Sequence, residues 1–110
     1  MTIPTTGNVA GRQLSHRCFA LRVSGDSMVN PTGRPTYPPG CTIIVDPDRD
    51  AQNGDRVIVK IPGVEEPTFK LFTVDSGQKL LRSLNPQYPT IPWRDGMSVV
   101  GVVVQTVIDE

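Results

Sequence analysis

The chain has 110 residues, with 11 basic and 11 acidic side chains and therefore no formal net charge. This length allows one domain with a modest core, and the absence of a basic excess or a Lys/Arg run excludes the positive surface of a DNA-contacting domain. No apolar run approaches the roughly 18 residues of a membrane span, and the N-terminus lacks a basic start and an apolar stretch, so we expect a cytoplasmic protein and no membrane partner.

The first fifteen residues differ in character from the rest. Residues 1–15 are polar and irregular and contain Pro4, Gly7 and Gly11. We interpret them as a flexible N-terminal arm or the remnant of a linker or cleavage region. Residues 16–110 then form the folded domain.

Short apolar runs rich in Val, Ile and Phe follow, separated by proline- and glycine-rich segments. Runs of this length and composition predict strands, and no stretch has the periodicity of an amphipathic helix. We therefore predict a compact all-β domain with little helix, whose last run is a central strand bent at Gly101. The six predicted strands are CFALRVS (18–24), CTIIVD (41–46), RVIVKI (56–61), TFKLFTV (68–74), KLLRSL (79–84) and SVVGVVVQTVI (98–108).

The sequence contains too few candidate ligands to predict a metal site. The candidate ligands are His16, Cys18 and the distant Cys41, whereas a structural zinc site requires four ligands, usually in two close pairs. We predict no metal and no cofactor. Two cysteines are too few for a disulfide framework, and in a reducing compartment we expect them to be thiols.

The stretch RVSGDSMVN (22–30) poses the main question, because Ser27 is either a turn residue or a nucleophile. A Ser-His-Asp triad or a Cys-His pair would need His16, which lies at the edge of the predicted arm. A Ser-Lys dyad needs a lysine held neutral by burial among apolar groups. Lys70 in TFKLF and Lys60 in VIVKI both have apolar neighbours, and either is alternatively a solvent-facing lysine on an edge strand.

An ordered set of motifs adds to this interpretation. FALRVSGDSM, PPGCTIIVDPDRDAQNGDRVIVKI, PTFKLF, LLRSLNPQYP and VVGVVV occur in that order from Phe19 to Val104. Together they resemble the LexA-like self-cleaving serine peptidases, which include LexA, UmuD and the C-terminal domains of lambda-type phage repressors. The resemblance implies the LexA-like peptidase fold, with short and highly bent sheets.

By position, the resemblance makes Ser27 the nucleophile and Lys70 the general base, and it leaves Lys60 outside the motif. Gly25 matches the glycine that allows the tight turn before the serine, and backbone N–H groups around Asp26 and Ser27 are the expected oxyanion donors. The spacing of Thr68, two residues before Lys70, adds a hypothesis that it hydrogen-bonds the lysine amine. An ordinary strand threonine is the alternative.

The resemblance also implies self-cleavage at an Ala-Gly bond, stimulated by a RecA filament on single-stranded DNA in an SOS-type response. A homodimer would bind operator DNA through a helix-turn-helix domain that this chain lacks. Ala10-Gly11 is the candidate bond, although family members usually have a longer segment before the serine. The alternatives are a UmuD-like accessory subunit of a translesion polymerase, and a dimerisation domain that has lost its peptidase activity. A signal peptidase would need a membrane anchor.

Overall fold

The computed structural model describes residues 16–107 in full and, before them, only the backbone of three two-residue strands. Those three are β1 (Ile3–Pro4), β2 (Asn8–Val9) and β3 (Arg12–Gln13). The described residues contain no helix, and the fold is all-β, as predicted. The remaining strands are β4 (Phe19–Arg22), β5 (Thr42–Asp46), β6 (Arg56–Lys60), β7 (Thr68–Asp75), β8 (Gln78–Arg82), β9 (Ile91–Pro92) and β10 (Ser98–Val107).

The six predicted strands are confirmed as β4 to β8 and β10. The sequence did not predict β9, which lies within a proline-rich loop. It pairs with β8 at the end of the sheet, a position where a strand tolerates proline because one of its sides needs no ladder hydrogen bonds. Residues 1–15 were predicted to be an arm, and apart from β1, β2 and β3 they lie outside the described residues.

One antiparallel sheet organises the domain, with strand order β1-β4-β5-β10-β6-β7-β8-β9. The last described strand, β10, lies in its middle, between β5 and β6. The prediction of a central position for this apolar run is therefore confirmed. Separately, β2 and β3 form a two-stranded pair.

The middle strand bends where the sequence predicted it. The register between β10 and β6 shifts between Val99 and Gly101, and a second shift against β5 follows between Val103 and Gln105. A Cβ at Gly101 would lie 2.5 Å from a methyl carbon of Val45, so only glycine allows β10 to approach β5 this closely. Val102 and Val103, consecutive residues on opposite faces of the strand, belong to different core clusters.

The core divides into two main clusters. Val45, Ile58 and Val103 belong to one, which packs under the segment that follows β4 and contains Met28 and Tyr37. Val57, Leu81 and others form the second, on the β7–β8 side of the sheet. Because β6 contributes Val57 to one cluster and Ile58 to the other, the strand is buried on both faces.

A tight hairpin joins β7 to β8. Ser76 and Gly77 both have positive φ, at 52° and 80°, which is the backbone of a two-residue type I′ turn. The turn fixes the pairing from Asp75 opposite Gln78 to Leu71 opposite Arg82. No helix among the described residues is long and apolar enough to cross a membrane.

Candidate active site

The predicted nucleophile lies on a tight turn that follows β4. Gly25 has φ +76°, a left-handed conformation that glycine adopts without strain, as the sequence suggested. The Val29 N–H then donates to the Asp26 carbonyl at 3.1 Å, which closes the turn around Ser27. Ser27 is half-buried, and the next residue, Met28, anchors the turn in the core at 1% exposure.

A second segment, residues 83–88, holds this turn in place, and we call it the bracket. The Asn85 N–H donates to the Ser27 carbonyl at 3.0 Å, and the Asn85 side-chain amide donates to the Asp26 carbonyl at 3.1 Å. The Tyr88 hydroxyl donates to the Asp26 carboxylate. This hydrogen bond, together with the carboxylate charge and desolvation, raises the pKa of Tyr88. The carbonyls at positions 26 and 27 therefore both face the bracket.

The predicted base contacts the same bracket from the other side. Lys70 lies on β7 and is only 5% exposed, and desolvation by burial lowers its pKa. Its Nζ donates to Ser83 Oγ at 2.6 Å and lies 5.5 Å from the centre of the Tyr88 ring. No carboxylate of the described part of the chain forms an ion pair with Lys70. A buried lysine without a counter-ion is suited to lose its proton.

The rival lysine has a different environment. Lys60 is the last residue of β6 and is exposed. It pairs with Ser98, the exposed first residue of β10. Lys60 therefore has the surroundings of an ordinary surface lysine.

A cleft of about 260 Å³ opens beside the Ser27 turn. Residues of β4 and the turn line one wall, and Val64 together with the start of β7 lines the other. Ile43 and Ile58 contribute apolar surface. Thr68 and Phe69 line the cleft together with Ser27, so an extended peptide placed there would lie beside Ser27.

The structure brings some of the predicted site residues to the same segment and leaves others apart. Ser27 and Lys70 each contact the bracket, but no hydrogen bond joins their side chains among the described residues, and Lys70 is not one of the residues that line the cleft. Thr68 lies in the cleft wall, while the hydrogen-bond acceptor for Lys70 is Ser83. The Ala10-Gly11 bond joins β2 to β3 in sequence and lies outside the described residues.

The candidate metal ligands do not come together as a site. Cys18 and Cys41 are buried in different core clusters and form no disulfide with each other, while His16 is exposed. Desolvation raises the pKa of the Cys41 thiol, which makes the thiolate less available. Within the described part of the chain, no group of three His, Cys, Asp or Glu side chains could hold a metal ion.

The sequence interpretation assigned no role to the polar residues of the bracket, Ser83, Asn85 and Tyr88. The contact of Ser83 with Lys70 could have been predicted from the sequence. A two-residue turn at Ser76-Gly77 fixes the β7–β8 register, and one step beyond the Leu71–Arg82 pair lies Lys70 opposite Ser83. For Asn85 and Tyr88 no comparable local signal exists, because their partners lie 59 and 62 residues away in the chain.

Comparison with known proteins finds relatives over most of the chain. The family model described as Peptidase S24-like matches residues 3–104. An HTH-type transcriptional regulator for conjugative element R391 from Providencia rettgeri is 47% identical over 92 residues, which cover 84% of this chain and 43% of that protein. Repressor protein C2 of Salmonella phage P22 is 44% identical over 82% of this chain and 41% of its own length.

More distant relatives carry the name that the sequence motifs suggested. LexA repressor 1 of Nocardia farcinica is 38% identical over 78% of this chain and 37% of its own length. The chain spans less than half the length of each of these relatives. A family model that matches nearly the whole chain, and relatives of this similarity, identify it as a member of the Peptidase S24-like family, to which LexA-like and phage repressors are related.

Proposed function

We propose that this chain is the peptidase and dimerisation domain of a LexA-like or phage-type transcriptional repressor that inactivates itself by cleaving an Ala-Gly bond. The observation that carries the proposal is the shared bracket. A half-buried serine on a tight turn and a buried lysine with a lowered pKa both contact residues 83–88. The matching family is a peptidase family, and the relatives' names describe regulators and repressors. Those names do not favour the alternative of a UmuD-like polymerase subunit.

In the proposed reaction, Ser27 Oγ attacks the Ala10 carbonyl carbon while neutral Lys70 takes the hydroxyl proton. Backbone N–H groups of the Asp26–Ser27 turn stabilise the oxyanion of the tetrahedral intermediate. The C–N bond then breaks, and the Lys70 ammonium gives its proton to the Gly11 nitrogen. A water molecule, deprotonated in turn by Lys70, hydrolyses the resulting Ser27 ester.

The cleft explains how the substrate would bind. Its walls are the β4 side and the start of β7, so a segment in extended conformation can lie between them with its carbonyl at Ser27. Thr68 lies on that wall, and its proposed role is a further hydrogen bond to the Lys70 amine. No cofactor is needed, because the serine and the lysine provide both the nucleophile and the proton transfer.

The proposed partners follow from the same assignment. A homodimer of this domain places two helix-turn-helix heads, carried by another part of the full-length protein, on a palindromic operator. A RecA filament on single-stranded DNA stimulates cleavage, which separates the heads from the dimer and relieves repression in an SOS-type response. The protein acts in the cytoplasm, where the DNA lies.

The decisive experiment uses the chain itself, incubated at alkaline pH to neutralise Lys70 and followed by mass spectrometry for loss of the N-terminal fragment. Ser27→Ala and Lys70→Ala should each reduce cleavage to background, while Lys60→Ala, a matched lysine on an apolar strand, should cleave like the wild type. Cleavage that survives Lys70→Ala would overturn the assignment of the base.

The scissile bond is tested separately with Ala10→Asp, which places a charge where the alanine side chain must enter the cleft. We expect cleavage to stop in this variant. Unchanged cleavage would exclude Ala10-Gly11 as the scissile bond, without contradicting the roles proposed for Ser27 and Lys70. Adding RecA filament at neutral pH should raise the wild-type rate, and a lack of stimulation would remove the filament from the proposed partners.

A further inference from the structure

We infer that Ser83 is a positioning residue for the general base: its hydroxyl accepts one N–H of Lys70 and thereby aims the nitrogen lone pair at Ser27. The inference rests on the proposed function, since it concerns how the proposed dyad is oriented. Ser83 lies within the LLRSLNPQYP motif, but the resemblance assigned it no role, and the role inferred here comes from the β7–β8 hairpin.

The fold places this hydroxyl with little freedom. The two-residue turn at Ser76-Gly77 fixes the register of β7 against β8, and the pairing runs without interruption to Leu71 and Arg82. Ser83 follows directly and lies opposite Lys70, half-buried, with 2.6 Å between Oγ and Nζ. The contact is therefore a product of backbone pairing, not of a mobile loop.

The chemistry of the amine explains why one acceptor matters. A neutral lysine has two N–H groups and one lone pair, and only the lone pair can receive the serine proton. An amine that rotates freely about its terminal bond directs the lone pair at Ser27 for a fraction of the time. A fixed acceptor for one N–H restricts this rotation, which is an orientation effect on the rate.

The other groups around the amine do not replace Ser83. On β6 the residue paired with Lys70 is Val57, which is fully buried and apolar. In the bracket, the centre of the Tyr88 ring lies 5.5 Å from Lys70 Nζ. The Tyr88 hydroxyl donates to the Asp26 carboxylate, so this carboxylate is linked to Lys70 through Tyr88. The ring attracts the ammonium form but accepts no directed N–H. Ser83 is thus the directional contact that the structure gives Lys70.

Two opposite effects on the protonation of Lys70 follow. Burial favours the neutral amine, whereas the Ser83 acceptor and the Tyr88 ring favour the ammonium. Removing the Ser83 hydroxyl should therefore move the pH-rate profile to lower pH. The maximal rate at high pH, where every Lys70 is neutral, should fall, because orientation is lost. A merely structural residue would not separate these two readouts.

The experiment compares Ser83→Ala, Ser83→Thr and Ser98→Ala, the last removing an exposed serine at the start of β10. Each variant and the wild type is assayed across pH for self-cleavage and for labelling of Ser27 by a fluorophosphonate probe, located by mass spectrometry. Labelling is independent of which peptide bond is cut. We expect Ser83→Ala to lower the high-pH rate about tenfold and to shift the profile to lower pH.

Ser83→Thr keeps the hydroxyl and should restore both the rate and the profile, and Ser98→Ala should match the wild type. Titration of the Lys70 side chain by carbon-13 NMR measures the pKa directly and reports folding in the same spectra. A Ser83→Ala protein that is folded, with wild-type rate and profile, overturns the inference while leaving the dyad in place. If Ser27→Ala and Lys70→Ala do not reduce cleavage or labelling, the proposed function itself fails.

Discussion

Lys60 and Lys70 occupy nearly equivalent sequence contexts, VIVKI and TFKLF, yet the fold gives them opposite environments. Lys60 ends β6 and is exposed, whereas Lys70 lies within β7 and is 5% exposed. Both strands have a neighbour on each side in the sheet, but Lys60 is the last residue of β6, whereas Lys70 lies inside β7 with Ser83 and the Tyr88 ring against its amine. The position of a lysine within the sheet therefore decides whether burial lowers its pKa.

The two lysines differ in their specific contacts as well as in burial. Lys70 has two specific contacts, Ser83 Oγ and the Tyr88 ring, and both come from the bracket that also holds the Ser27 turn. One short segment thereby contacts both Ser27 and Lys70. Lys60, on an exposed strand end, has no equivalent arrangement among the described residues.

The largest expected contrast between the two lysines is in the pH dependence of self-cleavage. In the proposed mechanism only neutral Lys70 acts as base, so the rate should rise about tenfold per pH unit below the Lys70 pKa. It should level off below 10.5, the ordinary lysine value, because burial lowers that pKa. Initial rates by mass spectrometry across pH measure this. Lys60→Met should keep the whole profile, and Lys70→Met should be inactive at every pH. A plateau reached only above 10.5 would contradict the role of burial.

A smaller effect is expected at the glycine of the nucleophile turn. Gly25 and Gly54 have φ of 76° and 94°, and a Cβ at either would meet no atom within 4 Å. Alanine at each should therefore lower the free energy of unfolding by about 1 kcal/mol through backbone strain alone. Only Gly25→Ala should also slow fluorophosphonate labelling of Ser27, by about tenfold, because its turn carries the nucleophile. Equal labelling rates in the two variants would show that the conformation of the turn does not affect the reactivity of Ser27.

The smallest contrast is in stability. The unfolded chain binds a proton at Lys70 up to about pH 10.5, whereas the folded protein releases it at lower pH. Between these two pKa values the unfolded state holds more protons, so the Lys70 contribution makes the folded protein more stable as pH rises. At neutral pH, Lys70→Met should then raise the free energy of unfolding by about 1 kcal/mol, while Lys60→Met should change it by less than about 0.5 kcal/mol.

Urea unfolding at several pH values measures this difference. The advantage of Lys70→Met should shrink towards pH 10.5, where wild-type Lys70 is neutral in both states. An advantage that is independent of pH would mean that packing, and not the buried charge, sets the stability of the variant.

The sequence predicted the local features of this fold well. Apolar runs bounded by Pro and Gly predicted all six main strands, and the apolar character of SVVGVVV predicted that β10 is central. The strand order could not be predicted, because nothing local shows that β10 inserts between β5 and β6. Ser27 and Lys70 were selected as candidates by motif, and their roles remain predictions that the experiments above test.

The contacts of the bracket were beyond local patterns. Asn85 and Tyr88 contact Asp26 from 59 and 62 residues further along the chain, and such pairings depend on tertiary packing. Lys60 and Lys70 likewise could not be separated by neighbours alone, since a strand pattern gives the face of a side chain but not what covers it.

The central position of β10 has a consequence for synthesis on the ribosome. In the sheet, β10 alone connects the β4–β5 part, which leads into the Ser27 turn, to the β6–β8 part, which carries Lys70. It is also the last of these strands to be translated. A nascent chain that has produced Ser27 and Lys70 still lacks the strand that joins the two parts. If the proposed function holds, the Ser27–Lys70 site would therefore be complete only after translation has passed β10.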